Sequence, residues 1–381
     1  MIFLNIIHQY TLIFLIQSIL IISAAVDISW LYMGLEDFKK TVLRNLIVKV
    51  IGVLCIFIFV KTSRDIWHYV LILSASELFG QLTLWMYLPK VVKKIKLNWH
   101  DIVIHFKPAL GLFIPQIAIQ IYIVLNKTML GILSNVNEVG YFENADKIVK
   151  VILAVVTAMG VVMLPRISNT FAKGDTNKVK EYLYKSFGFA SFLSIPLMFG
   201  IASISENFTP WFFGPSFNKT GIIIVMLSPI IVFIAWSNVL GVQYLMPIGK
   251  VRSYTISVIC GAGINFVLNL LLIPHFQSLG TAIATLIAEL IVTLYQFICI
   301  VKETKIKYLF SETWKYITGG FMMYFINQVI GYLMPINPLT TLVQIIVGVL
   351  IYFSILIVLK SQVNKQMINK VVSLIKIKKQ S

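Results

Sequence analysis

The feature that most constrains this chain is a succession of eleven continuously apolar runs. They fall at 10–31, 42–60, 66–88, 109–130, 148–164, 183–203, 221–245, 254–273, 281–301, 316–334 and 340–359. A helix needs roughly 20 apolar residues to cross the hydrocarbon core of a bilayer. Lipid gives the backbone no hydrogen-bond partner, so a spanning segment must be a helix or part of a closed barrel. Barrel strands alternate apolar and polar positions, and these runs do not. The expected fold class is therefore all-α, a polytopic transmembrane helix bundle of about eleven spans. The surface balance agrees: 58% of residues are hydrophobic and 12% charged, with mean hydropathy +0.88. A water-soluble chain of this length carries about twice that charge.

The net charge of +17 does not signal nucleic acid, because the cations cluster in short connections between runs. The connections after the odd-numbered runs, with the tail and with Arg44 and Lys185 at the adjoining run ends, hold 25 of the 32 Lys and Arg residues. The other side holds Lys61, Arg64, Lys127, Lys147, Lys150 and Lys219, and Lys49 lies within a run. The positive-inside rule puts the rich side in the cytoplasm of a plasma-membrane protein, with the C-terminus inside and the N-terminus outside. Met1–Tyr10 has no basic n-region, so it is not a signal peptide. Entry from outside points to an odd number of helices ahead of Met1. Lys219 is expected to be a free charge in an outer loop. Cys55, Cys260 and Cys299 all fall inside runs and read as small core residues.

Residues 90–107 form the longest basic link, interrupted by Trp99 and ending at Pro108. The tail 361–381 is basic, with Ile368, Val371, Val372, Leu374 and Ile375 interleaved. Two readings of it stay open, an amphipathic segment on anionic membrane lipids and a solvated end. Pro115, Pro196 and Pro229 lie inside runs, where a missing backbone donor kinks a helix.

The most informative stretch is 138–165. Glu143, Asp146, Lys147 and Lys150 follow i, i+3, i+4, i+7 spacing, one face of one helix that then continues apolar. A helix starting near Glu138 carries Asp146 and Lys147 roughly 12 Å inward. Charges at that depth face a cavity or each other, and the lysines can also meet an anion; a charged turn in water beyond the lipid is the other reading. Lys147 is the leading candidate. Asp27, Lys49, Glu77, Lys127, Gln116, Gln120, Asn126, Asn238, Gln243, Asn265, Asn269 and Glu289 add polar groups to the runs. Lys49 and Glu77 are able to pair, and Asn265 and Asn269 share a face. No P-loop, G-x-S-x-G or H-E-x-x-H occurs, and His8, His68, His100, His105 and His275 have no metal-ligand spacing. Nothing points to an enzyme, a cofactor or a metal.

The stretch 126–173, NKTMLGILSNVNEVGYFENADKIVKVILAVVTAMGVVMLPRISNTFAK, resembles the Wzx-type polysaccharide flippases of the multidrug/oligosaccharidyl-lipid/polysaccharide exporter superfamily. The shared features are the LG after the fourth run, the VGYF turn, the ADK entry and the LPRIS exit. Residues 27–40, DISWLYMGLEDFKK, and the late pattern Asn265, Asn269, Ile273–Pro274 and Leu279–Ala282 fit as well. The resemblance implies a two-lobed fold with an incomplete N-terminal lobe. Residues 1–88 would be three spans of that lobe and 89–108 a cytoplasmic link. Residues 109–301 would be a complete six-span lobe, 302–360 two appended spans and 361–381 a cytoplasmic tail. The first three helices of a fourteen-span protein would be missing.

The related peptidoglycan-lipid flippases have an essential acidic–basic pair where Asp146 and Lys147 stand, with Arg in place of Lys. Lys supplies a point charge and no bidentate fork. The implied function is translocation of an undecaprenyl-diphosphate-linked oligosaccharide from the inner to the outer leaflet for capsule, exopolysaccharide or O-antigen synthesis. The implied substrate-binding residues are Lys147, Asp146, Lys150, Glu143, Lys127, Lys49, Asp27 and Glu77. Other polysaccharide-assembly membrane proteins are the expected protein partners. A cation-coupled drug exporter using Asp27, Glu77 or Glu289, and an inactive truncated transporter, are the alternatives.

Overall fold

Each expected run falls on helix in the computed structural model, which describes residues 2–35, 37–62, 65–93 and 98–364. The chain forms two compact units, Met1–Ile102 and Val103–Ser381. In the first, α1 (Ile2–Ala25), the short α2 (Ser29–Gly34), α3 (Phe38–Phe59) and α4 (Ile66–Trp85) follow one another. α4 packs against both α1 and α3. The fully buried Tyr32 donates its hydroxyl to the Leu84 carbonyl at 2.9 Å, and the Trp85 indole donates to the Val26 carbonyl at 2.8 Å. These two bonds fasten the α1–α2 turn to the end of α4.

The second unit contains α6 (Val136–Ala172), α7 (Thr176–Phe212), α8 (Asn218–Leu227), α9 (Ile230–Ser237), α10 (Val251–Phe276) and α11 (Ser278–Ile300). It ends with α12 (Ile306–Leu309), α13 (Thr313–Leu333) and α14 (Pro338–Val358). α5 runs Trp99–Leu133, so helix begins at Trp99 and carries on through Pro108, the expected end of the basic link. Side-chain oxygens of Asn135, Asp175 and Asn337 cap α6, α7 and α14 by accepting from the N–H three residues on. Between α7, α9 and α11, the rings of Phe187, Trp236, Phe297 and Phe310 meet at 5.3–6.1 Å and form the aromatic centre of the unit. α10 and α11 approach closely because Gly261 leaves room: a Cβ there would stand 2.3 Å from Val292 Cγ2.

Seven helices among the described residues are long and apolar enough to cross a bilayer, and the α8–α9 pair, bent by 43°, makes an eighth. The other three expected positions are helical too. α4 and α13 have spanning length, 20 and 21 residues, but interleave Ser, Thr, Gln, Asn or Gly with their apolar residues. In α5 the apolar helix of the described residues is Ile119–Leu133. Pro229 sits at the α8–α9 bend, whereas Pro196 lies within an uninterrupted α7 and Pro115 within α5. The expected tail from 365 onward lies outside the described residues.

Lys219 is not the free loop charge expected of it. It is in the first turn of α8 and donates to Glu138 Oε1 at 2.7 Å and to Gln277 Oε1 at 3.0 Å. Glu138 Oε2 accepts from Ser278 N at 3.2 Å and Ser278 Oγ at 2.5 Å. One buried carboxylate thus ties the N-terminal turns of α6, α8 and α11 together.

Candidate functional site

A cavity of about 340 Å³ opens within the second unit, walled by α5, α6, α9, α10 and α11. Its polar lining gathers Tyr122, Asn126, Asp146, Lys150, Asn238, Thr285 and Glu289. The rest is apolar, with Ile230, Ile234, Val258 and Val292 among the walls. α6 reaches it because 37 residues at 1.5 Å make a helix of roughly 55 Å. A helix of that length projects beyond a bilayer core of about 30 Å.

The charged stripe on α6 divides in two. Asp146 and Lys150 line the cavity and pair at 2.6 Å. Glu143 accepts from Lys127 and lies 3.4 Å from Lys147. Lys147, the leading candidate from the sequence, has a side chain 64% exposed and is not among the cavity-lining residues. The stripe is about 100° wide on a helix of 3.6 residues per turn, and the cavity takes only its Asp146–Lys150 edge.

The remaining expected site residues lie in the first unit. Asp27 accepts from Ser29 N at 2.8 Å in the turn that opens α2. Lys49 is exposed on α3, and Glu77, exposed on α4, accepts from Gln81 Nε2 at 3.2 Å. No ion pair joins Lys49 to Glu77. Instead Arg44 reaches α4, donating to Gly80 O at 2.8 Å and Gln81 Oε1 at 2.7 Å.

Across the cavity from α6, the Tyr122 hydroxyl donates to Glu289 Oε1 at 2.5 Å. Glu289 is 7% exposed and has no cationic partner among the described residues. Behind it runs an amide chain: Asn269 Nδ2 bridges Asn126 Oδ1 (2.7 Å) and Asn265 Oδ1 (2.9 Å), and Asn126 Nδ2 donates to Thr285 Oγ1 (3.2 Å). Asn265 and Asn269 are one turn apart on α10, and Thr281 and Thr285 one turn apart on α11, so two polar faces meet. On the third side the backbone of Asn238–Leu245 adopts a π-helix, a form that concentrates at functional sites. It sets Asn238 over Gly160 of α6, where a Cβ would lie 2.4 Å from Asn238 Oδ1.

Sequence reasoning put Tyr122 in no list. It lies 167 residues from Glu289, and a tyrosine in an apolar run carries no signal of its own. Asn126, Asn238 and Glu289 were recognisable as intramembrane polar groups, but nothing in their spacing separates cavity lining from interhelical bonding. The arrangement offers one ammonium for an anion, amides and hydroxyls for polar substrate groups, and an apolar wall.

The family description "Polysaccharide biosynthesis protein" matches residues 3–171. A Shigella dysenteriae protein named as an O-antigen transporter is 25% identical over 76% of this chain and 73% of its own length. An Escherichia coli K12 protein of the same name is 27% identical over 69% of this chain and 64% of its own length. The solved structure of a lipid II flippase MurJ in an inward closed conformation superposes with a TM-score of 0.64 at 19% identity. That match covers 83% of this chain and 65% of the other, so the chain spans about two thirds of the solved structure's length. The fold is that of MurJ. On these matches the chain is a multi-pass membrane protein with a MurJ-like fold, similar over residues 3–171 to polysaccharide biosynthesis proteins and similar in sequence to relatives named as O-antigen transporters and a lipid II flippase.

Proposed function

We propose that the protein flips an undecaprenyl-diphosphate-linked oligosaccharide from the inner to the outer leaflet for capsule, exopolysaccharide or O-antigen synthesis. The observation that carries this reading is the cavity in the second unit: a polar lining with one ammonium inside apolar helices. Lys150 meets the diphosphate there, steered by Asp146, while Lys127 and Lys147 with Glu143 extend the charge toward the outer end of α6. Asn126, Asn238 and Thr285 stand in for water around the sugar. Residues 1–88 and 109–301 serve as the two lobes, with Asp27, Lys49 and Glu77 the polar groups of the first. The positive-inside rule puts the C-terminus in the cytoplasm. The names of the relatives, O-antigen transporter and lipid II flippase, support the substrate class.

The test is a protection assay. The purified chain is reconstituted into vesicles holding a fluorescent undecaprenyl-diphosphate-linked oligosaccharide, and a membrane-impermeant quencher is added. The wild type should expose the whole probe population, and Lys150→Ala should leave about half protected, as empty vesicles do. Equal protection with and without wild-type protein would refute flipping. A cation-coupled drug exporter is the second reading, favoured by Glu289, a buried carboxyl on the cavity wall. It requires ion-gradient-driven efflux of a cationic dye that Glu289→Gln abolishes.

A further inference from the structure

A second polar pocket, of about 330 Å³, lies wholly within the first unit, between the start of α3 and the end of α4. Lys39, Arg44, Thr83 and Tyr87 supply its polar lining, and Leu43 and Ile47 its apolar wall. Arg44 is the unusual member. Its guanidinium donates to three neutral acceptors, Gly80 O (2.8 Å), Gln81 Oε1 (2.7 Å) and Asn45 Oδ1 (2.6 Å). Its buried Nε has no partner. Among the described residues no carboxylate touches it; Asp27 and Glu77 act on it only through space. Among those residues the fork is therefore held in place by neutral groups, with no carboxylate in contact. That is the condition in which a planar guanidinium is poised for an oxyanion.

Lys39 adds a second cation five residues earlier, roughly 7.5 Å nearer the helix end. Beside and beyond Arg44 the wall is apolar, with Leu43 50% and Ile47 49% exposed and Val48 after them. Charge at the helix end and exposed hydrocarbon further in is the profile of a lipid, with its phosphate by the cations and an acyl chain along α3. Inorganic phosphate would use the cations and leave the apolar wall idle. Lys39, Lys40 and Arg44 stand in the first two turns of α3, at the cation-rich end that the positive-inside rule places at the anionic inner leaflet. We infer that this pocket binds an anionic glycerophospholipid of the inner leaflet by its phosphate, a site separate from the cavity of the second unit.

The test is lipid retention by the full chain, purified in detergent and incubated with equimolar phosphatidylglycerol and phosphatidylcholine, then counted by native mass spectrometry. The wild type should retain phosphatidylglycerol at least fivefold over phosphatidylcholine. Arg44→Gln and Lys39→Gln should each lower that ratio at least threefold, and Arg44→Lys should keep most of it. Lys250→Gln, a cation of the second unit, should leave it unchanged. Lys39→Gln, on the exposed rim, keeps the test decisive if Arg44→Gln does not fold. Retention by Lys39→Gln equal to that of the wild type would overturn the site, whether or not Arg44→Gln folds. Displacement of the lipid by millimolar inorganic phosphate, with Leu43→Ser and Ile47→Ser showing no loss, would overturn its assignment to a lipid.

Discussion

Removing the Glu138 carboxylate should loosen three helix ends at once. Glu138 is the third residue of α6, behind the Asn135 cap. Its side chain is 8% exposed and that of Lys219 30% exposed. Breaking a fully buried ion pair by deleting one partner costs about 3–5 kcal/mol, and a surface pair is worth about 0–1 kcal/mol. With Lys219 able to turn to water, Glu138→Ala should fall near 3 kcal/mol. Part of that loss is the two bonds from Ser278 at the positive end of α11. Glu138→Gln keeps an acceptor for Ser278 but loses the charge, and should cost about 1–2 kcal/mol.

The assay is thermal unfolding in detergent, followed by dye labelling of Cys260 and Cys299, half-buried in α10 and α11. A double-mutant cycle with Lys219→Ala isolates the pair, and its coupling should be about 1–3 kcal/mol. Single-mutant effects that add to within about 0.5 kcal/mol in the double mutant would refute the linkage and return Lys219 to the status of a loop charge.

Gly160→Ala should push the Asn238 side chain off α6, since a Cβ would stand 2.4 Å from its Oδ1 and that amide must move; the expected cost is about 1 kcal/mol, the low end for overpacking, read by the same thermal assay. Glu312 gives a pH dependence. Burial opposes its charge, but bonds from Lys315, Gln362 N and Ser361 outweigh that and hold its carboxyl below the usual range. Because the folded value is the lower one, its contribution is full above the ordinary glutamate value and fades as pH falls through the depressed one. The hydrogen-exchange protection factor at residues 361–364, the observed rate set against the intrinsic base-catalysed rate at each pH, should therefore fall on acidification in the wild type. In Glu312→Gln it should be low and flat across that range. For orientation, a cysteine at Asn177 on a background lacking Cys55, Cys260 and Cys299 should resist an impermeant thiol reagent in intact cells; its labelling would invert the topology.

The helices were legible because continuous apolar runs leave lipid-exposed backbone no other solution. The α6 charges were legible as one face because their spacing repeats every turn. The rotation of that face was not legible. Spacing fixes which residues are neighbours on a helix, while packing against α5, α7, α8, α9 and α11 decides which edge meets the cavity. Lys147 and Lys150 look alike in sequence and differ by 60° of arc, enough to put one on the cavity wall and leave the other off it. The Tyr122–Glu289 contact and the π-turn at Asn238 are products of tertiary packing. So is the tie from Lys219 to Glu138, which joins residues 81 positions apart.

The pairing of Lys150 with Asp146 also bears on release. A bare ammonium in an apolar cavity would bind a diphosphate tightly and keep it, which serves a receptor and not a carrier. With Asp146 at 2.6 Å, an incoming phosphate must displace or share the carboxylate, so much of the Coulomb gain is offset by the pair that is lost. Letting go restores that pair. On the proposed function, Asp146→Asn should therefore raise affinity for the diphosphate lipid while slowing flipping, whereas Lys150→Ala should weaken both. Binding titrations run beside the protection assay would separate them, and a fall in affinity for Asp146→Asn would mean that the carboxylate orients Lys150 more than it competes for it.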